Sequence, residues 1–122
     1  GDVLGFYYNF TAWNEEVTTV KAWRGVPFAA PPVGDLRWKA PQPPQSWTGA
    51  LNCTEFKDFC VQPDGSGSED CLYLNIYTSI SASDPGPWPV YFDIYGGGLT
   101  GGSAQADFNG LIYSSASTRQ GK

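Results

Sequence analysis

A chain of 122 residues has room for one modest domain and one hydrophobic core. Its apolar share of 41% and aromatic share of 16% exclude a disordered chain, and a net charge of −5 with scattered Lys and Arg excludes a nucleic-acid surface. No apolar run reaches the roughly 18 residues of a membrane span, so no transmembrane segment is expected.

Fifteen glycines, ten prolines and no methionine predict turns, loops and short strands rather than long helices. Val3 to Tyr8 and Val17 to Trp23 are β-branched and aromatic runs around a polar segment containing Asn14, the pattern of an antiparallel hairpin. From Pro27 to Trp47 six prolines remove backbone donors and fix φ, which predicts an extended, irregular wrap. Phe28, Leu36, Trp38 and Trp47 are the side chains expected to pin that wrap to the core, a stronger reading than a Pro-rich ligand for another domain.

Leu72, Leu74 and Ile76 alternate with Tyr73, Asn75 and Tyr77, a period of two that predicts a strand with one buried face. After turn-forming residues from Ser81 to Pro87, the stretch from Trp88 to Tyr95 is almost continuously apolar and aromatic, as a central strand covered on both faces would be. Gly96 to Gly98 end it, with Gly101 and Gly102 close behind. Phe108, Leu111, Ile112 and Ser115 fall on one side at helical spacing, which predicts a short helix over Phe108 to Ala116. The polar string after it offers no closing strand, so the chain reads as stopping in mid-fold.

Three cysteines and two Asn-x-Thr sequons, at Asn9 and Asn52, favour an oxidising compartment and a secreted or extracellular protein. The residues from Cys60 to Cys71 are rich in Gly, Ser, Asp and Pro and can bend back to disulfide geometry, so a Cys60–Cys71 bridge is expected. Cys53 is then free, buried as a small apolar residue, or paired with a cysteine outside the chain.

Consecutive glycines after a buried strand let backbone N–H groups converge on one point, because no Cβ stands in the way. Such donors either cradle phosphate or stabilise the oxyanion formed when a carbonyl is attacked. Gly96 to Gly101 match the dinucleotide fingerprint G-x-G-x-x-G literally, but that site needs a helix at once and an acidic residue about 20 positions on. Gly102-Ser103-Ala104-Gln105 follows instead, and nothing acidic comes after Asp107. A Walker loop fails for want of a lysine between Lys57 and Lys122.

Taken together, Arg24 to Trp38 (RGVPFAAPPVGDLRW), Ser68 to Tyr77 (SEDCLYLNIY) and Ile94 to Gly98 (IYGGG) resemble, in order, the N-terminal part of type-B carboxylesterases and cholinesterase-like lipases. The resemblance implies an α/β class: the N-terminal part of an α/β-hydrolase fold, a small antiparallel hairpin followed by the first strands of a mixed central sheet, rich in strand and coil. Residues 1–122 would be a partial domain. The resemblance makes Gly97 and Gly98 oxyanion-hole donors through their backbone N–H groups, acting beside a serine nucleophile. It also makes Cys60–Cys71 the first disulfide of the family and Arg37 with Glu69 a buried ion pair beside it, and it makes Asn52 a better glycosylation site than Asn9.

The sequence contains no histidine and no Gly-x-Ser-x-Gly elbow, so nucleophile, acid and base are expected from outside it. The implied function is a secreted serine hydrolase of carboxylic esters, with no cofactor and no metal, whose partner is the remainder of the hydrolase domain or a second chain. The alternative is a non-catalytic adhesion or structural subunit. An independent binding module fits less well, since a two-sided central strand needs helices on both faces.

Two positions and one loop depart from the family pattern. Asp93 stands where an apolar residue is usual and needs a partner or solvent. Leu99 replaces a common aromatic. The Cys60–Cys71 loop has no tryptophan to hold a quaternary ammonium, which points away from a choline-ester specialist.

Overall fold

A computed structural model describes residues 1–11, 17–79, 87 and 89–105. The expected helix over Phe108 to Ala116, most of the turn before Trp88, and Trp88 itself lie outside the described residues.

The described residues are strand- and coil-rich, with antiparallel and parallel pairing both present. Strands β1 (Asp2–Leu4) and β2 (Phe6–Thr11) open the chain, followed by β3 (Val17–Pro27), β4 (Ala50–Asn52) and β5 (Tyr73–Ser79). The hairpin expected from the first two apolar runs is β2 with β3, antiparallel in the register Phe6↔Ala22 to Thr11↔Val17. It begins later than expected because Gly5 divides the first run. A side chain at Gly5 would collide with the Ala22 carbonyl and lie 2.7 Å from the Trp23 ring. Val3 and Leu4 therefore belong to β1, which pairs in parallel with β4.

Strand β4 had no distinct sequence signal, since three residues cannot display a period. It is placed by its neighbours: Asp2 N–H donates to Gly49 O at 2.9 Å, and the Trp47 indole donates to Asp2 O at 2.8 Å. Cys53, just beyond, donates its N–H to Leu4 O at 2.9 Å and accepts from Arg24 N–H at 2.7 Å. One residue thus ties β1 to β3.

Strand β3 is the centre of the three-stranded sheet, with β2 on one side and β5 on the other. The ladder to β5 shifts register between Trp23 and Val26, so that Arg24 and Gly25 together oppose Asn75. This is a β-bulge, and Gly25 takes φ +68° there. The Arg24 guanidinium lies between the Phe6 and Phe56 rings, 4.7 and 4.3 Å from their centroids, a cation–π arrangement that covers the bulge with aromatic surface.

Among the described residues the buried apolar ones are small: Val20, Ala22, Ala29 and Cys53. The Pro-rich wrap contains only the short 3-10 helix Gly34–Leu36, as its prolines predicted. Its expected pins divide. Trp47 is half-buried and hydrogen-bonded, whereas Trp38, at φ +61°, is 96% exposed, and Phe28 is also exposed.

Two strand readings need correction. In β5 the period of two is real, but Ile76 is 42% exposed while Asn75 and Tyr77 are half-buried, so neither face is a clean core face. Residues 89–95 pair with no described strand, and Val90, Phe92 and Ile94 are 91%, 72% and 79% exposed. Two-sided cover requires neighbours on both sides, and none of the described residues supplies them. Asp93 is correspondingly exposed, in contact with solvent rather than a buried partner.

The Cys60–Cys71 bridge is formed, with the two Cα atoms 4.9 Å apart. Replacing both cysteines by serine is expected to lower unfolding free energy by about 2–3 kcal/mol, the loop-entropy value for a closure of this size. Urea unfolding of the oxidised protein and the double variant measures it, and equal midpoints would contradict it.

Candidate active site

The glycine loop begins where residues 89–95 end. Gly97 and Gly98 take φ +153° and +60°, conformations that a side chain disfavours. At Gly97 the constraint is also steric, because a Cβ would run into the Gly101 carbonyl. The loop turns on itself through Gly97 O, which accepts from Thr100 N–H and from the Thr100 hydroxyl, both at 3.1 Å. Among the described residues none accepts a hydrogen bond from Gly97 or Gly98 N–H. The N–H groups of Gly96, Leu99 and Gly101 likewise have no described acceptor; what sets Gly97 and Gly98 apart is two consecutive glycines at positive φ. Turn and coil follow Gly98 rather than a helix, so the dinucleotide reading lacks its defining element.

Leu99 has φ +62° and a fully exposed side chain. It forms no pocket wall with any described residue.

The loop is held by side-chain amides rather than by a β-ladder. Gln62 Nε2 donates to Cys60 O at 2.7 Å and to Gly102 O at 3.2 Å, and Gln62 Oε1 accepts from Gly102 N–H at 2.8 Å. Asn75 Oδ1 accepts from Gly25 N–H at 3.0 Å, while its Nδ2 donates to Ala104 O at 2.8 Å. Gln105 Nε2 donates to Lys57 O at 2.9 Å. The segment after the glycines is thereby tied to the disulfide loop, the β3 bulge and β5. Sequence reading singled out none of these three residues for this role. Their polarity amid apolar neighbours was the available signal, with the partners far away in the chain.

The disulfide loop is itself well braced. Gln62 N–H donates to Ser66 O at 2.8 Å and Ser68 N–H to Phe59 O at 2.8 Å, while Asp64 Oδ1 accepts from the amide and hydroxyl of Ser66 at 2.9 and 2.6 Å. Those two bonds hold the exposed Asp64 carboxyl below its ordinary range. Arg37 and Glu69 meet at 2.7 Å, but their side chains are 55% and 43% exposed. The pair is therefore at the surface rather than buried, and a pair of this kind contributes little to stability.

Tyr73 donates its hydroxyl to Asp70 Oδ1 at 2.7 Å. Burial, then that hydrogen bond and the charge of Asp70, push its phenol up to about 12. Tyr73, Asn75, Tyr95 and Gln105 border a cleft of about 40 Å³, space for a water molecule and far below the roughly 300 Å³ of a small-molecule pocket.

Nucleophile candidates are poor. Cys53 is fully buried, and burial raises its thiol, opposed in part by nearby Lys57, so it is inert as a thiolate. Among the described residues Ser103 Oγ accepts one hydrogen bond, from Gln105 N–H at 3.4 Å, and has no base beside it. Among the described residues no three His, Cys, Asp or Glu side chains converge on a metal-sized point, and no helix is long and apolar enough to cross a membrane.

Residues 1–115 match the sequence profile of the carboxylesterase family. The chain is similar to the juvenile hormone esterase of Tribolium castaneum, 42% identical over 99 residues, covering 75% of this chain and 17% of that protein. It is also similar to a pyrethroid hydrolase of Mus musculus, 44% identical over 120 residues, covering 85% of this chain and 21% of that protein. A crystal structure of a carboxylesterase of Geobacillus stearothermophilus is 37% identical, covering 57% of this chain and 14% of that one at a TM-score of 0.45.

The raised phenol of Tyr73 has a pH consequence. Its folded pKa lies above the unfolded value, so its contribution to stability is complete below about pH 10 and is lost as pH climbs through about 12. Tyr73→Phe should flatten the alkaline fall in the urea midpoint. An identical fall in both proteins would assign it elsewhere.

Proposed function

Since this chain belongs to the carboxylesterase family, we propose that residues 1–122 form the N-terminal portion of one α/β-hydrolase domain that cleaves carboxylic esters through a serine acyl-enzyme. The observation that carries this reading is the pair of donors at Gly97 and Gly98, held at positive φ with no described acceptor. In the proposed reaction a serine from outside these residues attacks the ester carbonyl, and the carbonyl oxygen gains negative charge. The two N–H groups stabilise that charge more than they stabilise the neutral ester, which lowers the barrier. A histidine, also from outside, takes the serine proton and returns it to the leaving alcohol.

Two further features support the proposal. The chain spans about a fifth of each curated relative named above, and residues 89–95 expose Val90, Tyr91, Phe92 and Ile94, apolar surface that the remainder of the domain would cover. Secretion fits the Cys60–Cys71 disulfide and the sequons. Asn52 is exposed, and its Oδ1 accepts from the Thr54 amide and hydroxyl at 3.1 and 2.8 Å, a compact turn at the chain surface. Asn9 lies within β2 opposite Thr19, whose hydroxyl donates to Asn9 Oδ1 at 2.9 Å.

The protein carrying this segment together with its downstream chain is expected to hydrolyse p-nitrophenyl esters and to be labelled covalently by a serine-directed fluorophosphonate. In that protein Gly97→Ala should lower kcat by about 10²–10³, the usual cost of a lost oxyanion donor, because the new methyl displaces the Gly101 carbonyl. Neither hydrolysis nor labelling would favour the non-catalytic adhesion or structural role. The 122-residue chain alone should give no acyl-enzyme burst.

Secreted material should lose mass on treatment with a peptide N-glycosidase, and Asn52→Gln should remove most of that loss. An unchanged mass in both would contradict glycosylation at Asn52.

A further inference from the structure

We infer that Gln62 is a positioning residue for the oxyanion donors, acting through Gly102; the inference rests on the ester-hydrolase reading above. One planar carboxamide satisfies both backbone groups of Gly102, accepting from its N–H at 2.8 Å and donating to its O at 3.2 Å. A neighbouring strand would engage a residue in the same two-sided way. Its Nε2 also donates to Cys60 O at 2.7 Å, which orients the amide, because only the nitrogen side can donate.

The clamp bears on the donors through direct contact. Gly102 has φ +112°, and a Cβ there would stand 2.5 Å from Gly96 O and 2.8 Å from the Tyr95 ring. Next to it, the Gly101 carbonyl covers the Cα of Gly97. The limb leaving the loop therefore leans on the limb entering it, and a shift of Gly102 moves the Gly101 carbonyl and with it the Gly97 and Gly98 amides. No β-ladder fixes either limb among the described residues, so the amide clamp substitutes for one.

Gln62 is itself anchored. Its N–H donates to Ser66 O at 2.8 Å, its carbonyl accepts from Gly65 N–H at 2.9 Å, and it stands two residues from the cross-linked Cys60. Oxyanion donors must be held within about 0.5 Å of their productive positions, and a tether fixed to a disulfide loop meets that demand better than a free side chain.

The test uses the full-length enzyme with Gln62→Leu and Gln62→Glu. Leucine removes donor and acceptor together; glutamate keeps the size and the acceptor for Gly102 N–H but, when ionised, cannot donate to Cys60 O or Gly102 O. Both variants should lose about 10- to 10²-fold in kcat, the scale of a small misplacement at a reacting centre. KM should stay nearly unchanged, and affinity for a trifluoromethyl ketone, which forms an oxyanion in the site, should fall in parallel with kcat. That parallel fall is what a merely structural role would not produce. If the leucine variant fails to fold, the isosteric glutamate variant carries the comparison. Unaltered kcat and ketone affinity, or a loss confined to KM, overturns the inference. A wild-type enzyme inactive on all esters is a different result, seen before any variant is made, and removes the proposed function itself.

Discussion

The covalent link between Cys60 and Cys71 is the constraint on which the arrangement of the site depends. It closes a loop whose two ends lead to different structures: Cys71 runs into β5 within two residues, while Gln62, two residues beyond Cys60, reaches the glycine loop. Closing that loop joins the three-stranded sheet to a backbone segment that has no ladder of its own among the described residues. The hydrogen bonds within the loop, from Gln62 to Ser66 and from Ser68 to Phe59, complete the brace. Each neutral bond of this sort contributes about 0.5–1.5 kcal/mol, so the brace is collective rather than the work of a single contact.

Strand β3 plays the corresponding part in the sheet. Its bulge at Arg24 and Gly25 breaks the alternation that a plain strand would keep, and the break is used twice. Arg24 N–H turns to Cys53 O and joins β1 and β4 to the sheet, while Gly25 N–H turns to Asn75 Oδ1, whose amide nitrogen reaches Ala104 O. A bulge commonly redirects a strand near a functional site. Here it connects the small core around Val20, Ala22 and Cys53 to the segment following the glycines.

Polar groups near the site are engaged in holding shape. The Tyr73 hydroxyl is spent on Asp70, which together with burial raises its phenol, Cys53 is sequestered as a buried thiol, and Gln62, Asn75 and Gln105 spend their amides on backbone. In the glycine loop the amides of Gly96, Gly97, Gly98, Leu99 and Gly101 have no described acceptor. Under the proposed function, the amides of Gly97 and Gly98 serve charge that develops on a bound molecule, which is the physical sense of a preorganised site.

Much of this was legible in local sequence. The hairpin, the proline-dominated wrap, the disulfide and the strand after Cys71 follow from periodicity, proline chemistry and cysteine spacing, because each is governed by residues close together in the chain. The three motif stretches, read in order, were enough to point to the family. Tertiary structure alone decided the rest. It divided the first strand at Gly5, where the Ala22 carbonyl leaves no room for a side chain, and it placed β4 beside β1. It left Trp38 and residues 89–95 exposed and brought Arg37 to Glu69 at the surface. It also assigned Gln62 to Gly102, 40 residues away. The reason is common to all: a pattern of apolar and polar residues states what a segment can bury or bond, while the identity of the neighbour that completes the contact depends on which distant backbone arrives there.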